Sequence, residues 1–150
     1  MGVFAKAGLC ISMVTLILAG GILCACSVPS PNSNSSVAPS IDNGLEIVYF
    51  HRAQRCAGCI HAQDMTEYTL NTYFAEELQS GGIVFVALNL QDAANVAMVQ
   101  KYGAYTSSLF MNKVEDGVDH IEEVTGIWFV LWDAEEFASL VKSEVEERLE

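Results

Sequence analysis

Two cysteines two residues apart, Cys56 and Cys59, are the feature that most constrains the fold of this chain. They lie between a short apolar segment, "LEIVYF" at residues 45–50, and a segment in which apolar residues recur every three or four positions. The first pattern predicts a buried β-strand and the second an amphipathic α-helix. Such a pair can be a redox couple, half of a metal site or two incidental thiols, and the cellular compartment and the fold of the chain decide between these possibilities.

The first 26 residues predict a segment that attaches the chain to a membrane. Lys6 precedes twenty uncharged residues, 7–26, which is the layout of a secretory signal. The run ends in "LCAC", which has the form of a lipobox, so we predict cleavage before Cys26 and lipidation of that cysteine. The alternative is an uncleaved signal anchor, because twenty apolar residues suffice to span a bilayer. Either reading predicts a membrane-anchored, extracytoplasmic protein.

Residues 27–41 predict a disordered tether and residues 42–150 a folded domain. The tether is uncharged, rich in Ser, Pro and Asn, and has too little apolar surface to offset chain entropy. The domain holds all 19 acidic residues and six of the seven basic ones, so it is more negative than the whole chain, at −12. A surface of this charge repels nucleic acid, which we exclude as a partner.

The positions of the five cysteines narrow the reading of the pair. Cys10 and Cys24 lie in the leader and Cys26 is the predicted lipid site, which leaves Cys56 and Cys59 for the domain. A bridge between them closes almost no loop, so it is not a structural framework. Outside the cytoplasm two free thiols would oxidise, which indicates that the pair either reacts or binds a ligand.

The spacing of apolar residues predicts the strands and helices in the first half of the domain. We predict a strand at residues 45–50, then one long helix from Cys59 to Leu78 that is ended by Gly81 and Gly82. The run "IVFVALNL", residues 83–90, predicts a central strand covered on both faces, and residues 93–102 a short helix.

The second half predicts a hairpin and a terminal helix. Asp116-Gly117 is a strong turn signal between strands 108–114 and 118–125. Asp133 caps a final helix, whose predicted buried residues are Phe137, Leu140, Val141 and Leu149. The stretch "GIWFVLW", residues 126–132, is predicted to be mostly core; an exposed Trp128 and Trp132 would instead form a patch for docking a partner.

The order strand, helix, strand, helix, strand, strand, helix (β-α-β-α-β-β-α) is that of a thioredoxin-like fold. Strands joined through a helix are parallel and strands joined by a hairpin are antiparallel. We therefore predict an α/β domain with a central mixed four-stranded sheet flanked by helices.

In this topology Cys56 falls at the N-terminus of the first helix. Free backbone N–H groups and the helix dipole stabilise an anion there, so the pKa of the Cys56 thiol is expected to fall and Cys56 to act as the nucleophile. Cys59, one turn later, is the expected resolving thiol. Arg55 and Arg52 add positive charge, and His51 is a second candidate for tuning the pair.

A metal site is the alternative reading of the same residues. Cys56, Cys59 and His51 would be the ligands, with His61 or Met65 as further candidates for zinc or copper. A helical position two residues after Cys59 points His61 away from the pair, and His51 would have to reach back across the loop. The metal reading therefore stays second to the redox one.

The segments "IVYFHRAQRCAGC", "IVFVALNL", "KYGAYTSSLFM" and "FASLVKSEVEERL" resemble the thioredoxin-like superfamily across the whole domain. Within it, "YFHRAQRCAGC" and "YTSSL" are most similar to the nitrophenyl compound nitroreductase subunit (ArsF) family. The sequence has no flavin- or nicotinamide-binding signature, so reduction of a nitro group would need another subunit.

The superfamily carries a cis-proline at the start of the third strand, where it orients the substrate. The matching position here is Ser107, and all three prolines of the chain lie in the tether, at positions 29, 31 and 39. A cis bond without proline costs about 3 kcal/mol, so we predict a trans bond at Ser107. Ser107 is nevertheless a candidate for substrate contact.

These observations predict a thiol–disulfide oxidoreductase whose only cofactor is a redox-active disulfide, Cys56–Cys59. Its expected partners are a thiol or disulfide protein, or a membrane electron donor. The alternatives are a metal-binding or metal-delivery lipoprotein that uses Cys56, Cys59 and His51, or a non-catalytic thioredoxin-like subunit of a reductase complex.

Overall fold

The computed structural model describes residues 41–150. The elements are β1 (Gly44–His51), α1 (Ala57–Tyr73), α2 (Ala75–Ser80), β2 (Ile83–Asn89), α3 (Val96–Tyr102), β3 (Ser108–Glu115), β4 (Val118–Glu123) and α4 (Ala134–Leu149), with short 3₁₀ helices at Ala93–Asn95 and Thr125–Trp128. The predicted leader, its Cys26 and tether residues 27–40 lie outside the described residues. Within the described part, the helices are too short or too polar to cross a bilayer.

The four strands form one mixed sheet in the order β2-β1-β3-β4. β1 pairs with β2 in parallel, from Leu45 opposite Ile83 to His51 opposite Asn89, whereas the β1–β3 and β3–β4 pairs are antiparallel. This confirms the predicted α/β, thioredoxin-like fold.

The prediction that residues 83–90 form a central strand was wrong. β2 lies at the edge of the sheet and β1 beside it in the interior. A continuous apolar run reports that both faces of a strand are covered, and here they are: Phe85 packs against the core on one face and Val86 against the core on the other. It does not report whether both edges are paired.

Each face of the sheet has its own core. α1 and α4 cover one face, where the buried strand residues are Leu45, Ile47, Tyr49, Ile83, Leu109 and Met111. α3 covers the other face, against Val48, Phe50 and Phe110. Alternate β1 residues therefore point to opposite cores, which is why all six residues 45–50 are buried.

The predicted long helix is in fact two helices. Phe74 has φ −132° and ψ 32°, outside the helical region, and separates α1 from α2. Its ring is buried in the core, so the bend carries this side chain inward. Tyr73 is exposed instead, and the second helix ends at Gly81 in the left-handed conformation, as predicted.

The turn and capping predictions are confirmed. Asp116 and Gly117 both have positive φ, 53° and 75°, in the two-residue turn of the β3–β4 hairpin. The Asp133 carboxylate accepts hydrogen bonds from the N–H groups of Glu135 and Glu136, at 3.1 and 3.0 Å. Leu149, predicted to be buried, is 41% exposed, because α4 is already at its last turn there.

A buried carboxylate joins α3 to the sheet. Glu46 accepts hydrogen bonds from the Tyr102 hydroxyl at 2.7 Å, the Asn112 amide at 3.0 Å and the Lys101 ammonium at 3.2 Å. Lys101 also pairs with Asp119 at 2.8 Å. Because a buried carboxylate is tolerated only with such partners, this cluster fixes the position of α3 on the sheet.

Candidate active site

Cys56 lies at the N-cap position of α1, as the sequence predicts. Its backbone is extended, with φ −82° and ψ 159°, and its Sγ atom accepts a hydrogen bond from the Cys59 N–H at 3.0 Å. The pair is joined in a disulfide, with 5.0 Å between the two Cα atoms. Cys56 is exposed and Cys59 is half-buried. An incoming sulfur therefore reaches Cys56 more easily than Cys59.

Tyr49 supports the pair from the central part of the sheet. It is fully buried on β1, and its hydroxyl donates a hydrogen bond to the Cys59 carbonyl oxygen at 2.8 Å. Burial raises the pKa of Tyr49 to about 12, against a smaller lowering by Arg55. The phenol is thus protonated at neutral pH and remains a donor. This role of Tyr49 was not predicted from the sequence, in which the only signal was that a buried tyrosine hydroxyl needs a partner.

Arg55 places its guanidinium against the same carbonyl. One Nη2 atom lies 3.3 Å from the Cys59 oxygen and 2.7 Å from Oε1 of Gln63. Its Nε atom is buried and has no hydrogen-bond partner among residues 41–150. The cation is therefore held at the first turn of α1, whereas Arg52 is exposed and lines a groove with Leu90 and Tyr105.

His51 is not brought together with the cysteines as a ligand set. It ends β1, and its Nδ1 atom lies 3.0 Å from the carbonyl oxygen of Arg52. Within residues 41–150, no three His, Cys, Asp or Glu side chains are grouped so that they could hold a metal ion. The alternative set of Cys56, Cys59 and His51 is therefore not assembled here, because His51 faces its own loop.

Ser107 lies where the sequence predicts, immediately before β3. Its neighbour Ser108 pairs with Phe50, near the C-terminal end of β1. Ser107 therefore lies at the same end of these strands as the loop that carries the cysteines. All peptide bonds within residues 41–150 are trans, and the bond before Ser107 is among them. Its role in substrate contact stays a prediction.

The segment that connects β4 to α4 packs against the cysteine motif. A Cβ atom at Gly58 would lie 3.0 Å from Cδ2 of Leu131, 3.8 Å from Cζ2 of Trp132 and 4.0 Å from Sγ of Cys56. The absence of a side chain at position 58 is what lets this segment approach. Trp132 in turn stacks on His61, with ring centroids 5.0 Å apart and planes 15° apart.

The prediction that residues 126–132 are mostly core is confirmed for four residues, among them Val130 and Leu131. Ile127 is buried and Trp128 packs against the core. Phe129 and Trp132, however, are 89% and 71% exposed. An apolar stretch alone does not show which side chains point outward from a 3₁₀ helix and the turns that follow it.

A mixed sheet in the order β2-β1-β3-β4, with a Cys-x-x-Cys pair at the N-terminus of the helix after β1, defines a thioredoxin-like domain. The disulfide at this position indicates a redox-type function.

No protein-family model matches the sequence, and no curated protein is significantly similar to it. Two solved structures are similar to the chain. A malarial protein is 12% identical, with a TM-score of 0.41 over 67% of this chain and 97% of its own. An uncharacterised thioredoxin-like protein from Clostridium perfringens is 14% identical, with a TM-score of 0.44 over 69% of this chain and 73% of its own. Because these scores are low, the fold assignment rests on the strand order and the position of the cysteines, and the resemblance to the nitroreductase subunit family stays a prediction.

Proposed function

We propose that the protein is an extracytoplasmic, membrane-anchored thiol–disulfide oxidoreductase that acts through Cys56 and Cys59. The observation that carries the proposal is the exposed Cys56 sulfur, which accepts a backbone N–H bond at a helix N-terminus while it is bonded to the half-buried Cys59. This arrangement stabilises a sulfur anion on Cys56 and protects the second sulfur from solvent.

In the oxidising direction, a thiolate of a partner dithiol attacks Sγ of Cys56. A bond forms between the partner sulfur and Cys56, the Cys56–Cys59 bond breaks, and Cys59 leaves as a thiolate that takes up a proton. The second partner thiol loses its proton, attacks the first partner sulfur and displaces Cys56 as a thiolate. Two electrons pass from the partner dithiol to the cysteine pair, and the partner ends as a disulfide.

In the reducing direction, the same steps run backwards. The Cys56 thiolate attacks a partner disulfide, one partner sulfur leaves as a thiolate, and Cys59 then attacks Cys56 to release the second. Renewed cycles need a thiol protein or a membrane electron donor to restore the dithiol. A lipid on Cys26, or an uncleaved anchor, would hold the domain beside such a donor.

The test is to trap the covalent intermediate with the full-length protein. Reduced Cys59→Ser protein, mixed with a protein disulfide, is expected to accumulate a mixed disulfide on a non-reducing gel, because the resolving thiol is gone. Cys56→Ser protein should form none, and the unmodified protein should reduce the disulfide without accumulating the adduct. Equal disulfide reduction by Cys56→Ser and unmodified protein would overturn the proposal and leave a non-catalytic subunit of a reductase complex.

A further inference from the structure

We propose that Phe129 and Trp132 form a docking surface, the aromatic rim, for the polypeptide that exchanges disulfides with Cys56. The expected occupant is an extended segment with an apolar side chain and a basic residue close to its reacting cysteine. This inference rests on the proposed function and adds which protein segments the site prefers.

Trp132, the residue of the rim nearest to the cysteines in the described contacts, lies close to the reactive sulfur. The Trp132 indole and the Cys56 sulfur are both within 4.0 Å of one point, the Cβ position that Gly58 leaves empty. The side chains that flank a polypeptide sulfur bonded to Cys56 can therefore contact the indole. A small disulfide has no such side chains.

The exposed rings have the properties of a binding anchor. Phe129 and Trp132 are 89% and 71% exposed, so a partner that covers them removes most of their apolar surface from water. Trp132 is also fixed, because its ring stacks on His61 and the preceding Leu131 packs against Gly58. Tryptophan in a fixed position loses little conformational entropy on binding and is enriched at the energetic centres of interfaces.

The charge around the rim selects a basic partner. Asp133, Glu135 and Glu136 follow Trp132 directly, and exposed Asp64 follows His61 on α1. No Lys or Arg lies between Arg55 and Lys101 or between Lys113 and Lys142, and the guanidinium of Arg55 is held by the Cys59 carbonyl oxygen and Gln63. A Lys or Arg beside the partner's cysteine would be attracted here, whereas an anionic small thiol or an anionic membrane surface would be repelled.

The experiment compares two disulfide substrates with the full-length, reduced protein. One is a peptide disulfide with a leucine and a lysine next to the cysteine; the other is hydroxyethyl disulfide, which has neither. For a single turnover of the reduced protein, Trp132→Ala is expected to lower the ratio of the second-order rate constant for the peptide to that for the small disulfide by about tenfold, and Phe129→Ala to lower it by less. Trp132→Phe should restore most of the ratio.

Tyr68→Ala is the matched control. Tyr68 is another exposed aromatic residue, 59% exposed, and lies on α1 three turns from Cys56. This variant is expected to leave the ratio unchanged. When the peptide carries glutamate in place of lysine, the unmodified protein should react with it several-fold more slowly than with the lysine peptide.

The outcomes separate the two proposals. If Trp132→Ala leaves the ratio unchanged, including by slowing the reaction with both substrates equally, the aromatic rim is not a docking surface. A lysine and a glutamate peptide that react equally fast overturn the preference for a basic partner. If the unmodified protein reduces neither disulfide faster than Cys56→Ser does, the proposed oxidoreductase function fails instead.

Discussion

The hydroxyl of Tyr49 and the carbonyl oxygen of Cys59 are joined by a hydrogen bond of 2.8 Å. Tyr49 is on the interior strand β1 and Cys59 is in the first turn of α1, so the bond ties the cysteine motif to a strand that is paired on both sides. The half-buried sulfur of Cys59 is thereby held in one place relative to Cys56.

Removal of this bond should cost stability. Tyr49→Phe deletes the hydroxyl but keeps the buried ring, so we expect the free energy of unfolding to fall by about 1 kcal/mol. Denaturant unfolding of the oxidised protein measures it, with Tyr68→Phe on the exposed side of α1 as the control. Equal stability of the two variants would show that the bond contributes nothing.

Arg55 should set the redox potential of the pair. Its guanidinium lies 3.3 Å from the Cys59 carbonyl oxygen, where a positive charge favours the reduced, thiolate-bearing form. Arg55→Gln is therefore expected to lower the midpoint potential by about 30 mV, which is a tenfold change in the equilibrium constant. Equilibration with glutathione buffers measures the shift.

Two further variants test whether the charge is responsible. Arg55→Lys keeps the charge and should restore most of the potential, although it loses the fork that contacts Gln63. Arg52→Gln removes an exposed cation nearby in sequence and should change little. An equal shift in Arg52→Gln and Arg55→Gln would contradict a specific role for Arg55.

The pKa of the Cys56 thiol should be lower than that of an ordinary cysteine. In the reduced Cys59→Ser protein, the N–H of residue 59 and the helix N-terminus still face the Cys56 sulfur, so alkylation by iodoacetamide should have a midpoint pH clearly below about 8.5. A midpoint at or above that value would remove the physical basis of the exchange mechanism.

The cluster that joins α3 to the sheet should make stability depend on pH. Hydrogen bonds from Lys101 and Asn112 hold the pKa of Asp119 below its usual 3.8, so its contribution is complete above that value and is lost as the pH falls through the lowered pKa. For Lys101, burial lowers the pKa, but hydrogen bonds to Asp119 and Glu46 outweigh it and raise the pKa above 10.5. That contribution is present below pH 10.5 and is lost as the pH rises through the raised pKa.

Asp119→Asn tests the predicted loss of stability at acid pH. The side chain is 41% exposed, so solvent screening keeps the expected loss at neutral pH below about 1 kcal/mol. Thermal unfolding between neutral and acid pH should show a smaller decline for Asp119→Asn than for the unmodified protein. Asp64→Asn, at an exposed position on α1, should leave the decline unchanged.

Local patterns predicted most of the fold. An apolar run predicted β1, the Asp116-Gly117 turn predicted the hairpin, and the capping residue Asp133 predicted the start of α4. The junction between the first strand and the first helix placed Cys56 at the N-cap. Each of these features is decided by residues close together in sequence. The edge position of β2 and the break at Phe74 were missed because strand order and side-chain burial depend on distant partners.

The supporting groups of the site were only partly predictable for the same reason. Arg55 was expected as a tuner because it adjoins Cys56, whereas Tyr49 reaches Cys59 across a loop and gave no local signal. Trp132 lies 76 positions after Cys56 and stacks on His61 of α1, a contact that depends on the packing of α4 on the same face of the sheet as α1.

The missing side chain at Gly58 links two parts of the chain that are far apart in sequence. Leu131 already occupies the space that a larger residue between the cysteines would need. A side chain at position 58 therefore requires the end of the Leu131 side chain to shift by a few tenths of an ångström, so positions 58 and 131 have to be chosen together when the motif is redesigned.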